Sequence, residues 1–150
     1  MTNEATSFWK FIGNYQIEIP IIQRDYAQGR LGKEYLRNNF LGNLKQALDY
    51  QLPESALKLD FVYGSEDEGK LSPLDGQQRL TTLWLLHWYV ALRAGKLEEA
   101  SVRLRNFTYE TRISSREFCR NLCIPQNFEE YDGNIGIVDF ITSRTWFYSS

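Results

Sequence analysis

The most continuous apolar pattern of the chain follows a polar turn near its middle. Residues 77–95 contain no proline, and their apolar side chains cover every face of a helix. This pattern predicts one long helix, about 30 Å in length, that is central and buried. Asp75 is a preferred N-cap and Gln78 completes the D-x-x-Q form of a capping box. The helix is therefore predicted to begin at Gly76.

Shorter periodic segments predict the other elements. The predicted helices cover residues 3–13, 33–51 and 114–122, and the predicted strands cover residues 15–19, 57–63, 70–74 and 102–109. Between the second and third strands lie Glu66, Asp67 and Glu68, which predicts a β-hairpin with an acidic loop. Few strands among several helices predict the α+β fold class.

Length and composition are those of one globular domain over residues 1–150. The chain is 43% hydrophobic and 24% charged, and it is long enough to bury one core. The apolar segment from Ile135 to Ser150 has no polar cap, which predicts an N-terminal piece of a longer protein. Trp146, Phe147 and Tyr148 are therefore expected either to fray or to pack against a second copy, as in a homodimer.

Charge and titratable residues disfavour several classes of protein. A net charge of −2 disfavours a dedicated DNA-binding domain, whose affinity depends on a basic face. The single histidine, His87, is expected to be a core residue, so this chain has no HNH nuclease site and is not expected to cleave DNA. Cys119 and Cys123 are four residues apart on a predicted helix, which suits neither a disulfide nor a complete zinc site. Free thiols, no signal peptide and no long apolar span predict a cytoplasmic protein without a membrane partner.

The polar turn before the long helix is the first candidate for a functional site. Its sequence is Pro73-Leu-Asp-Gly-Gln-Gln-Arg-Leu-Thr-Thr-Leu83. This turn puts backbone N–H groups, a carboxylate, two amides and a guanidinium at a helix N-terminus, which is where anions bind. The alternative is an ordinary capped helix whose Arg79 pairs with an acidic surface.

Two further polar turns each follow a predicted strand. The first carries Gln23, Arg24 and Tyr26, and the second carries Arg112, Ser114, Ser115 and Arg116. The two serines are able to cap the helix that follows them. Arginine-bearing turns that each leave a strand can converge on one ligand, so the turn with Arg24 and the turn with Arg79 are candidates for one phosphate site. Arg112 and Arg116 are candidates for phosphate or base contact, and the alternative for them is a solvated helix face.

The same three turns carry a resemblance to a known family. Its segments are Ile19-Pro through Tyr26, Asp75-Gly-Gln-Gln-Arg-Leu-Thr-Thr-Leu83 and Phe107-x-Tyr109-Glu-Thr-Arg112-x-Ser114-Ser115-Arg116-Glu-Phe118. In this order they resemble the N-terminal S-type domain of GmrSD-like modification-dependent restriction enzymes, over most of residues 15 to 120. The resemblance implies a ParB/sulfiredoxin-like fold, with a small mixed sheet packed with several helices. It also implies binding and hydrolysis of nucleoside triphosphates, which gate a nuclease against base-modified DNA.

The resemblance implies roles for individual residues. Asp75 would hold Mg²⁺ or a ribose hydroxyl, and Gln77 or Gln78 would orient an attacking water, so these three are the predicted catalytic residues. The predicted nucleotide ligands are Gln23, Arg24, Tyr26, Gly76, Arg79, Thr82, Arg112, Ser115 and Arg116. Gln77 stands where sulfiredoxins carry a cysteine, which excludes their chemistry here. Gln28 stands where the family often has a tryptophan.

Two function classes stay open. In the first, the chain is the nucleotide-binding and hydrolysing sensor of a DNA-restriction or phage-defence protein, with Mg²⁺ as cofactor. It would meet DNA through the full-length protein, with an HNH-type nuclease domain in cis or in trans. In the second, it is a ParB-like module that contacts DNA or another protein and hydrolyses nothing. Triphosphate binding by the isolated chain separates the two classes.

Overall fold

The structure is a computed structural model that describes residues 6–20, 38, 41–42, 44–45, 64–73, 76–110 and 113–148. The chain divides into two compact units. One comprises Met1–Ala5 and Arg24–Phe61, and the other comprises Thr6–Gln23 and Val62–Ser150. In the first unit the described residues are all helical, within the helix predicted over residues 33–51. The elements named below belong to the second unit.

The second unit combines a few short strands with several helices, which confirms the α+β class. Its helices are α1 Phe8–Asn14, α2 Gln77–Arg93, α3 Leu97–Leu104, α4 Ile113–Leu122, α5 Ile137–Thr142 and α6 Thr145–Tyr148, with a 3₁₀ turn at Pro125–Phe128. Its strands are β1 Gln16–Ile19, β2 Gly64–Asp67, β3 Lys70–Pro73 and β4 Phe107–Tyr109. Among the described residues, no helix has the length and apolar character that a membrane crossing needs.

The strands form one mixed sheet in the order β2-β3-β1-β4. β1 runs parallel to both of its neighbours, and Ile17 pairs with Leu71 of β3 and with Phe107 of β4. β2 is antiparallel to β3.

The connection between β2 and β3 is a tight turn of two residues. Glu68 and Gly69 both have positive φ, 51° and 80°, as a two-residue hairpin turn with the twist of the strands requires. Glu66 and Asp67 therefore lie in β2, and the prediction of an acidic loop is wrong for them because the turn needs only two residues. The strand predicted over residues 57–63 lies outside the described residues.

Helix α2 contributes one buried stripe to the core. Its buried apolar residues are Leu80, Trp84, Trp88 and Ala91. The indole N–H of Trp84 donates to the Leu104 carbonyl at 2.9 Å and that of Trp88 to the Leu122 carbonyl at 2.6 Å, so burial leaves neither donor unpaired.

Helix α2 is central and buried as predicted, but its burial is confined to one stripe. Leu85 is 41% exposed and Val90 is 56% exposed. The reason is that the partners of the buried stripe lie on one side of the helix. Trp84 stacks on Phe107 of β4 with ring centroids 5.7 Å apart, and Trp88 meets Phe128 edge-on at 5.3 Å.

Both ends of α2 are shaped by glycine. Gly76 occupies the N-cap position with φ 77°, a left-handed conformation that cannot belong to a right-handed helix. The helix therefore begins at Gln77, and the predicted start with Asp75 as N-cap is one residue too early. At the other end Gly95 has φ 69° and closes a Schellman motif, in which the Lys96 N–H donates to the Ala91 carbonyl at 2.8 Å.

Two further predictions around β4 are wrong in their boundaries. Residues 102–104 belong to α3 rather than to a strand, because α3 buries residues at helical spacing, namely Leu97, Ala100, Ser101 and Leu104. β4 covers only Phe107–Tyr109. Helix α4 already begins at Ile113, so Ser114 and Ser115 lie inside its first turn and not at its N-cap.

The C-terminal aromatic residues pack against the core of their own unit. The Trp146 ring lies 5.8 Å from that of Phe128, and the Phe147 ring lies 6.0 Å from that of Phe118. Trp146 and Phe147 are half-buried against these rings, so the prediction that they fray is wrong, and packing against a second copy stays a prediction. Tyr148 is 75% exposed.

Candidate anion site at the carboxyl edge of the sheet

Three parallel strands end at the same edge of the sheet. Their last residues are Ile19, Pro73 and Tyr109. Helix α2 begins shortly after Pro73, and α4 begins shortly after Tyr109. Two helix N-termini therefore follow directly from the carboxyl edge, which is where sheets with parallel strands bind ligands.

The first turn of α2 presents backbone amides at this edge. The first hydrogen bond inside the helix joins the Leu80 N–H to the Gly76 carbonyl at 3.0 Å. The N–H groups of Gln77 and Gln78 precede that bond and have no acceptor within the helix. Together with the positive end of the helix dipole, they favour an anion. Arg79 lies half-buried in the same turn.

Gln77 ties the start of α2 to the end of β3. Its side chain is buried, and its Nε2 donates to the Pro73 carbonyl at 2.8 Å. The amide nitrogen of Gln77 therefore has a structural partner. The catalytic role predicted for Gln77 stays a prediction, as does that of the half-buried Gln78.

A second link joins α2 to β4. The Thr81 hydroxyl donates to the Gln77 carbonyl at 3.0 Å and lies 3.2 Å from the Tyr109 hydroxyl. Either hydroxyl can be the donor in this pair, since each has one proton and accepting lone pairs. Sequence reasoning assigned no role to Thr81 or Tyr109. The available signal was the position of Tyr109 at the end of a predicted strand, directly before an arginine-bearing turn.

Thr82 makes a bond of the same local kind. Its hydroxyl donates to the Gln78 carbonyl at 2.9 Å, one helical turn back, as threonine often does inside a helix. The oxygen of this hydroxyl keeps capacity to accept a further hydrogen bond. Contact between Thr82 and a nucleotide stays a prediction.

Arg116 holds the junction between β4 and α4. Its Nε donates to the Tyr109 carbonyl at 3.1 Å, and its Nη2 donates to the Glu110 carbonyl. Ser115 lies half-buried in the first turn of α4. The guanidinium has further N–H groups beyond these two bonds, so contact between Arg116 and a phosphate stays a prediction.

The structure brings together part of the predicted site. At the starts of α2 and α4 it places Gly76, Gln77, Gln78, Arg79, Thr82, Ser115 and Arg116. Outside the described residues lie Gln23, Arg24, Tyr26, Asp75 and Arg112. In the described part of the chain, no group of three or more His, Cys, Asp or Glu side chains could hold a metal ion. The predicted Mg²⁺ ligand, Asp75, is not among those residues.

The remaining reactive side chains are structural. The His87 Nδ1 lies 2.7 Å from the Leu83 carbonyl, and its ring stacks on Trp9 with centroids 5.9 Å apart. Cys119 and Cys123 are free thiols. Burial raises the pKa of each thiol from 9.0 to about 12, the neighbouring Cys123 adding to the effect at Cys119. Both sulfurs are therefore protonated and weakly nucleophilic at neutral pH.

A comparison with protein families identifies the chain. The model of the family described as "GmrSD restriction endonuclease, N-terminal domain" matches residues 8–141. The chain belongs to this GmrSD family. The match confirms the resemblance carried by the three polar turns, and it assigns the chain to a restriction system of the kind used in phage defence. Membership also suggests that the full-length GmrSD protein involves DNA and a nuclease domain. No curated protein and no solved structure matches the chain.

Proposed function

We propose that the carboxyl edge of the sheet binds a nucleoside triphosphate, and that this GmrSD domain is the nucleotide sensor of a restriction protein. One observation carries the proposal. The first turn of α2, with Arg79 in it, follows directly from a parallel strand at the edge where β1 and β4 also end. An anionic ligand gains there from backbone amides, from the helix dipole and from a guanidinium at once.

Phosphate fits this edge better than a carboxylate or a neutral ligand. A triphosphate offers several oxygens, so the amides of Gln77 and Gln78 and the fork of Arg79 can be used together. Gln23, Arg24 and Tyr26 follow β1 in the sequence, and we retain them, with Arg112, Ser115 and Arg116, as proposed ligands. Nucleic-acid binding through charge alone is less favoured, because the chain has a net charge of −2.

Hydrolysis is the second part of the proposal. Mg²⁺ held by Asp75 would neutralise charge on the phosphates, and positioning of a water would complete the site. Gln78 is the better candidate for that positioning. Its neighbour Gln77 is buried and uses its amide nitrogen on the Pro73 carbonyl.

Isothermal titration calorimetry with ATP, GTP, CTP and UTP in the presence of Mg²⁺ tests binding. Loss of a hydrogen bond to a charged group costs about 1.5–3 kcal/mol, so Arg79→Ala should weaken triphosphate binding roughly 10- to 100-fold. Arg79→Lys should restore only part of it, since an ammonium cannot reproduce the fork. The matched control is Arg120→Ala, which removes an exposed guanidinium at the other end of α4, paired with Glu117 at 3.8 Å.

The outcomes of the titration test the role of Arg79 and the choice between the two function classes. If Arg79→Ala bound triphosphate as tightly as the wild type does, Arg79 would not be a phosphate ligand. If the wild-type chain bound none of the four triphosphates and Arg79→Ala unfolded, Arg79 would be a structural ion-pair partner and the interaction-module class would be favoured. Hydrolysis is followed separately by phosphate release, where Gln78→Ala should lower the rate with little change in affinity.

A further inference from the structure

We infer that Tyr109 is a positioning residue of the triphosphate site, acting through Thr81 on the first turn of α2. The inference rests on the proposed function and extends it to a residue that is neither a predicted catalytic residue nor a predicted nucleotide ligand. Tyr109 is the last residue of β4, and its hydroxyl is hydrogen-bonded to the Thr81 hydroxyl at 3.2 Å. Thr81 donates in turn to the Gln77 carbonyl at 3.0 Å, inside the turn that carries Arg79.

The ring of Tyr109 is held on the sheet side by an ordered aromatic stack. Phe107 meets it edge-on with centroids 5.9 Å apart, and Phe107 itself stacks on Trp84 in the core. Phe107 is only 3% exposed. Because core side chains are closely packed, this stack limits the positions that the Tyr109 hydroxyl can take.

The backbone of Tyr109 is held as well. It pairs with Ile19 of β1, and its carbonyl accepts the Nε of Arg116 from α4. The next residue, Glu110, donates its N–H to the Ile19 carbonyl at 2.8 Å. Tyr109 therefore lies opposite Ile19 of β1, bonds to α4 through its carbonyl and contacts α2 through its side chain. Tyr109 thus connects the start of α2 with the start of α4.

The first turn of α2 is also hydrogen-bonded to the end of β3. Gln77 receives the Thr81 bond at its carbonyl and donates its own Nε2 to the Pro73 carbonyl at 2.8 Å. The first turn of α2 is thus fixed to β3 by Gln77 and to β4 by Tyr109. Losing the Tyr109 bond removes the link to β4 and leaves the link to β3, and Arg79 and the amides are then less well placed for phosphate.

The test removes only the hydroxyl. Tyr109→Phe is compared with Tyr89→Phe, which removes the same group from the exposed face of α2. A neutral hydrogen bond contributes modestly, so Tyr109→Phe should weaken triphosphate binding about 3- to 10-fold, with Tyr89→Phe unchanged. Thr81→Val should match Tyr109→Phe, and the double variant should be no weaker than either. Thr81→Ser, which keeps the hydroxyl, should bind as the wild type does.

Hydrogen exchange without nucleotide gives an independent readout. The amides of residues 80–83 should exchange faster in Tyr109→Phe, while those of residues 90–94 at the other end of α2 should not change. Unchanged exchange at residues 80–83 would overturn the inference, whether or not nucleotide binds. So would a lower melting temperature with wild-type affinity, since this would make the bond merely structural. If the wild type binds no triphosphate, the proposed function fails and the inference fails with it. Faster exchange in Tyr109→Phe would then show only that Tyr109 holds the turn.

Discussion

Substitution of Gln77 tests whether its side chain, in the polar turn before α2, stabilises the fold or acts in catalysis. Its side chain is 7% exposed, and its Nε2 donates to the carbonyl of Pro73 at 2.8 Å. Pro73 is itself fully buried. Gln77→Ala removes the donor and leaves this carbonyl without it in a place that water does not reach easily. The variant should therefore lower the free energy of unfolding, and this effect should be measurable without any nucleotide.

The magnitude follows from the burial. An unsatisfied buried polar group costs about 1–3 kcal/mol. In a domain of about 150 residues, each 1 kcal/mol lowers the melting temperature by about 2–4 °C, so Gln77→Ala should lower it by about 2–12 °C. Gln77→Glu should be at least as harmful, because it places a carboxylate oxygen against the carbonyl oxygen where an N–H had been.

Thermal unfolding followed by circular dichroism measures this effect. The matched control is Gln78→Ala, the same substitution one position along, where the side chain is half-buried. Its effect should stay within about 0.5 kcal/mol, as for most surface substitutions. A Gln77→Ala variant that melts with the wild type would refute the reasoning. It would show that the bond to Pro73 contributes nothing and would return Gln77 to a purely catalytic interpretation.

Three further predictions concern the backbone, the thiols and the absence of nuclease chemistry. Gly76→Ala should destabilise the fold by about 1–2 kcal/mol in urea denaturation, because its φ of 77° is strained for a residue with a Cβ, and Gly76→Asn should cost less. The free energy of unfolding should fall as the pH rises from 9 to about 12, because in this range the thiols of the unfolded chain have lost protons that folded Cys119 and Cys123 still hold. In urea denaturation across this range, the free energy of unfolding of the double alanine variant should fall less steeply. The 150-residue chain with Mg²⁺ should leave modified and unmodified plasmid DNA intact on gels, and cleavage that persists through purification would contradict this.

Local patterns in the sequence determined the elements that carry the site. An apolar run after a glycine-containing polar turn was enough to predict α2, and alternation before a proline was enough to predict β1. The three polar turns were enough to identify the GmrSD family. These features depend on residues a few positions apart, since capping, turn formation and periodicity are short-range effects. For the same reason a local error at Gly76 moved the predicted helix start by only one residue.

Partners far apart in the sequence were decided by the tertiary structure alone. The stripe of α2 that is buried depends on Phe107 and Phe128, and no periodicity within α2 could select it, since apolar residues cover all its faces. The bond between Thr81 and Tyr109 joins residues 28 positions apart, and it exists because α2 packs on β4, where Trp84 stacks on Phe107. A hydrogen-bond partner is chosen by proximity and direction in space. Sequence patterns report which groups are available, and only the packed fold brings two of them within 3 Å or so of each other.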